Sequence, residues 1–229
     1  MRATLLSLGL LVSCSDQGIV KTDDTAGGDD TAAGPCPPYA GLDAAGTRWS
    51  WTFETDASAG TREDLLVEGG AAPVLSRVQE GGGEGWSTTS ELELRYRCDA
   101  EGAWLVGESY HSSNTTTSGT FEDTGTMAWD PGWLVVPWGF DNASTWEVAF
   151  TITTESERYG TTEASWSGSY MVENTETVET GVGQVEALEA VGAGDAGEGA
   201  TWMDQSFRHP QMGVVSDGGT FYLAEYEAG

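Results

Sequence analysis

Lysine is nearly missing from this chain: Lys21 is the only one in 229 residues, and histidine occurs twice, as His111 and His209. Neither histidine has a second histidine or a cysteine at metal-ligand spacing, so no zinc site, and no metal or other cofactor, is expected. No glycine-rich loop leads into a helix with a lysine, which removes the usual phosphate cradle, and no serine stands in a Gly-x-Ser-x-Gly elbow. Ser109, Tyr110 and His111 are adjacent, but neighbours on a strand point to opposite faces and cannot form a triad, so His111 reads as a loop histidine. With no catalytic residue selected, the chain is expected not to be an enzyme. Basic residues are scarce overall, 9 Lys and Arg against 37 Asp and Glu, so nucleic acid is excluded as a partner. One apolar stretch, residues 3–13, stands out, and it is too short to span a bilayer.

That stretch follows Met1 and Arg2, a short positive start, and has the length of a signal-peptide core. It ends Leu11-Val12-Ser13-Cys14, which resembles the lipobox of bacterial lipoproteins. The resemblance implies cleavage after residue 13, a diacylglycerol thioether on Cys14 and an acylated new N-terminus. One buried acyl chain holds a protein only marginally, whereas two or three make a durable membrane anchor. Ser15, rather than aspartate, follows the cysteine, which in diderm lipoproteins points to the outer membrane. The protein would face either the periplasm or the cell surface.

Residues 14–37 offer almost nothing to pack. They carry an imperfect acidic repeat, Asp23-Asp24-Thr25-Ala26-Gly27-Gly28 and then Asp29-Asp30-Thr31-Ala32-Ala33-Gly34, and read as an extended tether. From Pro38 to Gly229 tryptophan, tyrosine and valine recur at regular intervals, the pattern of a single domain long enough to bury about 70% of its unfolded surface. Three cysteines are present. With Cys14 lipidated, Cys36 and Cys98 are left to pair in an oxidising compartment, closing a loop of about sixty residues.

The body alternates. Trp49, Trp51 and Phe53 interleave with polar residues; so do Leu92, Leu94 and Tyr96, and again Trp146, Val148, Phe150 and Ile152. Period two with one apolar face is the pattern of half-buried antiparallel strands. Further strands are predicted over 74–79, 103–110, 133–138, 164–173, 182–191, 200–207 and 220–227. Glycine, 32 residues in all, gathers in 80–85, 192–199 and 217–219, which read as turns. The fold class expected is all-β: one antiparallel curved sheet, as an open barrel or a sandwich.

Ten tryptophans are present, with Trp129, Trp133 and Trp138 crowded around Asp130-Pro131-Gly132. Most tryptophans fall on the apolar phase of predicted strands and belong to the core. Trp129, Asp130, Trp133 and Trp138 are the candidate ligand surface, since aromatic clefts are the usual ligand sites. Glu122 with Asp123, and Asp195 with Glu198, are loop carboxylates that match no calcium loop and read as solvated acid.

The body resembles a group of bacterial lipoproteins built as a single curved β domain behind a tether, a group to which no activity is attached. The resemblance rests on Gly46-Thr47-Arg48-Trp49-Ser50-Trp51, the stretch from Trp129-Asp130-Pro131 to Pro137-Trp138, Glu176-Thr177-Val178 leading to Val185-Glu186-Ala187-Leu188, Met212-Gly213-Val214-Val215 and the closing Phe221-Tyr222-Leu223. It implies fold and address and carries over no catalytic residue. The leading expectation is a non-enzymatic, membrane-anchored envelope lipoprotein whose β domain contacts another envelope component. The alternatives are a carrier of a lipid or small apolar ligand in the concavity of the sheet, and a carbohydrate-binding or glycosidase module using tryptophan and carboxylates.

Overall fold

A computed structural model describes residues 42, 44–55, 57–195, 199–203, 213–216 and 221–229, all within one compact unit. The signal segment, Cys14, the tether, Cys36, Lys21, Glu198 and His209 lie outside the described residues.

The described chain is all strand and turn. Twelve strands follow in order: β1 Arg48–Glu54, β2 Ser58–Glu68, β3 Val74–Gly83, β4 Trp86–Cys98, β5 Gly102–Thr116, β6 Gly119–Pro137, β7 Thr145–Ser156, β8 Gly160–Thr180, β9 Gly183–Gly194, β10 Gly199–Met203, β11 Gly213–Ser216 and β12 Tyr222–Glu227. Each pairs antiparallel with its sequence neighbours, and β1 pairs with both β2 and β12. The sheet therefore curls round on itself, and the sandwich alternative is set aside. Among the described residues β11 and β12 meet through the single pair Val215↔Tyr222, while β5 and β6 share a ladder fourteen pairs long.

Alternation along β1 shows how the sequence fills this curve. Trp49, Trp51 and Phe53 are buried, and Arg48, Thr52 and Glu54 between and beside them are exposed. Leu66, Leu75, Leu94, Tyr96 and Leu105 continue the inward layer across β2 to β5. Val148, Phe150, Ile152, Val172, Ala187 and Leu223 complete it from the other strands. Buried aromatics of this size dominate the stability of such a core. Outward positions carry Ser and Thr together with the Glu that makes much of the chain's acid excess.

Several sequence expectations are corrected here. The glycine-rich 80–85 segment is not all turn, because β3 runs on to Gly83. Gly60 and Gly81 face Phe53, and a Cβ on Gly60 would lie 2.2 Å from both the Glu80 carbonyl and the Phe53 ring. These glycines let a large ring lie flat on the sheet, a close approach rather than a break in the strand. Glu122, Asp123 and the Asp130-Pro131-Gly132 stretch are not loop either, since β6 carries them all, with a cis bond between Asp130 and Pro131. His111 lies on β5, exposed on the outer face.

Candidate functional site

Two polar constructions stand out against the apolar interior, one inside the curve and one at its edge.

The first starts from an irregularity in β2. Arg62 and Asp64 are two residues apart and so share the inward face, where period two would place apolar side chains. Register then supplies their partners: Asp64 lies opposite Trp49 on β1 and opposite Arg77 on β3, and Arg62 lies opposite Trp51. Arg77 grips the Asp64 carboxylate with two bonds, Nε to Oδ1 at 2.7 Å and its terminal nitrogen to Oδ2 at 2.9 Å. Arg62 donates to Oδ2 at 2.7 Å from the other side and lies 4.4 Å over the Trp51 ring. Asp64 is fully buried. A charge at that depth is tolerable only with such charge-assisted, forked pairing.

Tyr96 and Glu108 border this triad. Tyr96 is 2% exposed, and its hydroxyl has no hydrogen-bond partner among the described residues. Burial pushes that phenol well above its usual range, with Asp64 and Glu108 adding to the shift and the two arginines opposing it. Glu108 is 9% exposed, on β5 between Leu94 and Met127. Burial raises its carboxyl to about 7, with Arg77 pulling the other way. Desolvation outweighs the attraction of Arg77, so the buried Glu108 carboxyl holds its proton more tightly than an exposed one.

The second construction is the β7–β8 turn. Asp123 on β6 accepts the Tyr110 hydroxyl at 3.0 Å and the Ser156 hydroxyl at 2.8 Å. It also accepts the Arg158 backbone N–H at 3.3 Å, while the Tyr159 N–H bonds the Ser156 oxygen at 2.9 Å. Burial alone would raise the Asp123 carboxyl, but the hydrogen bonds from Ser156, Tyr110, Arg158 and Thr124 outweigh it and hold the group low. A turn that is otherwise free to flex is thus tied to the strands on two sides. It presents Tyr159, 72% exposed, and Arg158, whose guanidinium lies 5.1 Å from the Phe121 ring and 5.5 Å from that of Tyr159. Beside it an open groove of about 720 Å³ runs over the outer face of β4 to β7, lined by Glu91, Glu93, His111, Thr124, Glu155 and Glu157 among others. The His111 ring nitrogen Nδ1 is 3.0 Å from the Thr124 hydroxyl.

No protein-family model, curated protein or solved structure gives a significant match to this chain. Its function has to be read from its own geometry.

The tryptophans singled out in the sequence do not form one surface. Trp129 is 6% exposed and belongs to the core, and Trp133 is half-buried with its ring 5.8 Å from Phe150. Trp138, also half-buried, donates its indole N–H to the Asp99 carbonyl at 2.8 Å and pins the end of β6 to the β4–β5 turn. Asp130 alone of the four is exposed. The sequence reading missed Arg62, Asp64, Arg77 and Glu108 because charged residues are ordinarily assigned to the outer face. The available signal was phase: Asp64 and Leu66 are in step, so an aspartate on the apolar phase was legible as a buried charge.

Proposed function

We propose that this chain is a non-enzymatic lipoprotein of the bacterial envelope, anchored through lipid on Cys14, whose β domain contacts another envelope component. The observation that carries the contact reading is the braced β7–β8 turn. Arg, Tyr and Phe are the side chains enriched in interface hot spots, and here Arg158, Tyr159 and Phe121 stand together on a turn held by Asp123. Rigid presentation lowers the ordering cost of binding. The adjoining acidic groove suits a partner with basic side chains.

A photo-crosslinking amino acid at position 159, in cells expressing the full chain, tests the reading. A discrete adduct is expected at 159 and none at exposed Val67 on the same barrel; equal labelling at both would remove the surface. In parallel, palmitate incorporation should vanish in Cys14→Ala and the protein should leave the membrane fraction. Retention of both would remove the anchor.

The pairing of Cys36 with Cys98 belongs to the same reading. It is supported by Cys98, fully buried at the end of β4 and disulfide-bonded, with Cys36 the only other cysteine once Cys14 carries lipid. Peptide mapping without reduction should give a Cys36–Cys98 linked peptide. A linked peptide containing Cys14 would overturn both the pairing and the lipidation.

The carrier reading has one specific support. The indole N–H groups of Trp146 and Trp166, on β7 and β8, are buried without an acceptor among the described residues. A ligand oxygen is the kind of group that would meet them, and organic extraction of natively purified protein, followed by mass spectrometry, tests for it.

A further inference from the structure

Among the described residues Glu108 is the one buried inward carboxyl without an ion-pair partner, and its surroundings explain what ionisation would do. By register Glu108 lies opposite Leu94 on β4, with Tyr96 two residues along the same strand and Arg77 on β3 beyond it; these two, Tyr110 from its own strand and, behind Arg77, Asp64 and Arg62 from β2 are the charged and titratable groups around it. β6 and β7 contribute only Met127 and Thr154 in the same row. Arg77 is already committed to Asp64 by a two-bond grip that joins directly opposed residues of β2 and β3. The Tyr96 hydroxyl is buried and unpartnered. A neutral Glu108 leaves this arrangement undisturbed. An ionised one needs donors: Tyr96 is its diagonal neighbour across the β4–β5 ladder, and Arg77 stands one strand further on.

We propose that Glu108 is a proton-operated switch in the barrel wall: on losing its proton it recruits the Tyr96 hydroxyl and competes with Asp64 for Arg77, loosening the β2–β3–β4–β5 wall. The change is a proton released to solvent and a carboxylate left behind; no bond other than O–H is broken. The sign follows from burial. A carboxyl whose affinity for its proton is higher in the folded than in the unfolded chain contributes stability at acid pH that is lost as pH rises through the folded value, here about 7. The wall is tight on the acid side and loose on the alkaline side. This inference stands apart from the anchoring and contact reading above.

The test is a carboxyl-carbon NMR titration of the full chain labelled at glutamate, together with amide hydrogen exchange of Leu75, Arg77 and Leu94 corrected for base catalysis. Glu108 is expected to titrate near neutrality, and exchange at those amides to rise by at least about tenfold between pH 5.5 and 8.5. In Glu108→Gln the rise should disappear. Tyr96→Phe, which removes an unpartnered hydroxyl and so should fold at least as well, should move the Glu108 midpoint upward by taking away a donor to the ionised form. A Glu108 midpoint in the ordinary carboxylate range, a Glu108→Gln protein whose exchange still rises, or an unmoved midpoint in Tyr96→Phe would each overturn the switch. Should Glu108→Gln fail to fold, the titration of the unsubstituted chain and of Tyr96→Phe decides.

Discussion

Asp64→Ala is expected to destabilise the domain by about 3–5 kcal/mol, the cost of removing one partner from a buried ion pair. The size follows from what is left behind. Arg77 and Arg62 both bond the Asp64 carboxylate, whose side chain is fully buried, and their own side chains are only 10% and 13% exposed. Without it, two guanidiniums face each other in an apolar wall with no anion between them. Glu108 is the remaining carboxyl coupled to Arg77, and Asp64→Ala should draw it toward the ionised form. Denaturant unfolding followed by circular dichroism measures the effect as a lower midpoint at unchanged slope. The decisive comparison is Arg62→Met, Asp64→Leu and Arg77→Met together. If the triad matters as paired charge and not for its volume, the triple variant should recover most of the loss, because apolar replacement of a whole buried ion cluster is often neutral or better. A single-variant loss below about 1 kcal/mol would show that water reaches the site and that burial there is not what it looks to be.

Trp51→Ala should cost a similar amount, about 3–5 kcal/mol, through loss of transfer free energy and the cavity it leaves. Trp51 is 2% exposed at the middle of β1, the strand that joins β2 to β12 and so links the two ends of the sheet. Its ring also carries the Arg62 guanidinium at 4.4 Å. Trp51→Phe separates the two contributions: it keeps much of the apolar surface while weakening the contact with Arg62, which is worth roughly 0.5–2 kcal/mol. Thermal melts should rank the unsubstituted chain above Trp51→Phe and that above Trp51→Ala, with each kcal/mol shifting the midpoint by about 2–4 °C for a domain of this size. Equal melting points for Trp51→Phe and the unsubstituted chain would show that the ring acts by packing alone.

Much of the fold was legible because alternation is a local property. The dry phase Trp49, Trp51, Phe53 is the phase that the barrel buries, and the same holds for Leu94 with Tyr96 and for Val148, Phe150 and Ile152. Misreadings arose where composition and conformation part company. The glycines of 80–85 were taken for a turn, although β3 runs on to Gly83 and Gly81 lies flat against Phe53 on that strand. The Asp130-Pro131-Gly132 stretch carries every mark of a loop, yet β6 passes through it: Asp130 pairs with Thr151 and Trp133 with Leu105, and the ladder irregularity absorbs the residues between. β2 was not predicted at all, because Arg62 and Asp64 break the apolar phase that identifies a strand.

The functional constructions were less legible, and for a common reason. Asp64 meets Arg77 thirteen residues away, Asp123 meets Tyr110 across one hairpin and Ser156 thirty-three residues on, and Glu108 is set beside the cluster by the β3–β4–β5 register. Each depends on register between strands, which no single segment encodes.

By itself the sequence determined the all-β class, the alternating inner and outer faces and the acid excess of the surface, because period, propensity and composition are properties of the chain alone. It also contains the Cys14 motif on which the anchoring proposal rests. The tertiary structure decided that the sheet curls round on itself, that two arginines share one aspartate inside it, that Glu108 is buried beside them, and that a rim turn is locked with Arg158 and Tyr159 outward. The physical reason is that burial and pairing are set by which strands lie side by side and in what register, and a charge acquires its meaning from the neighbours that register supplies.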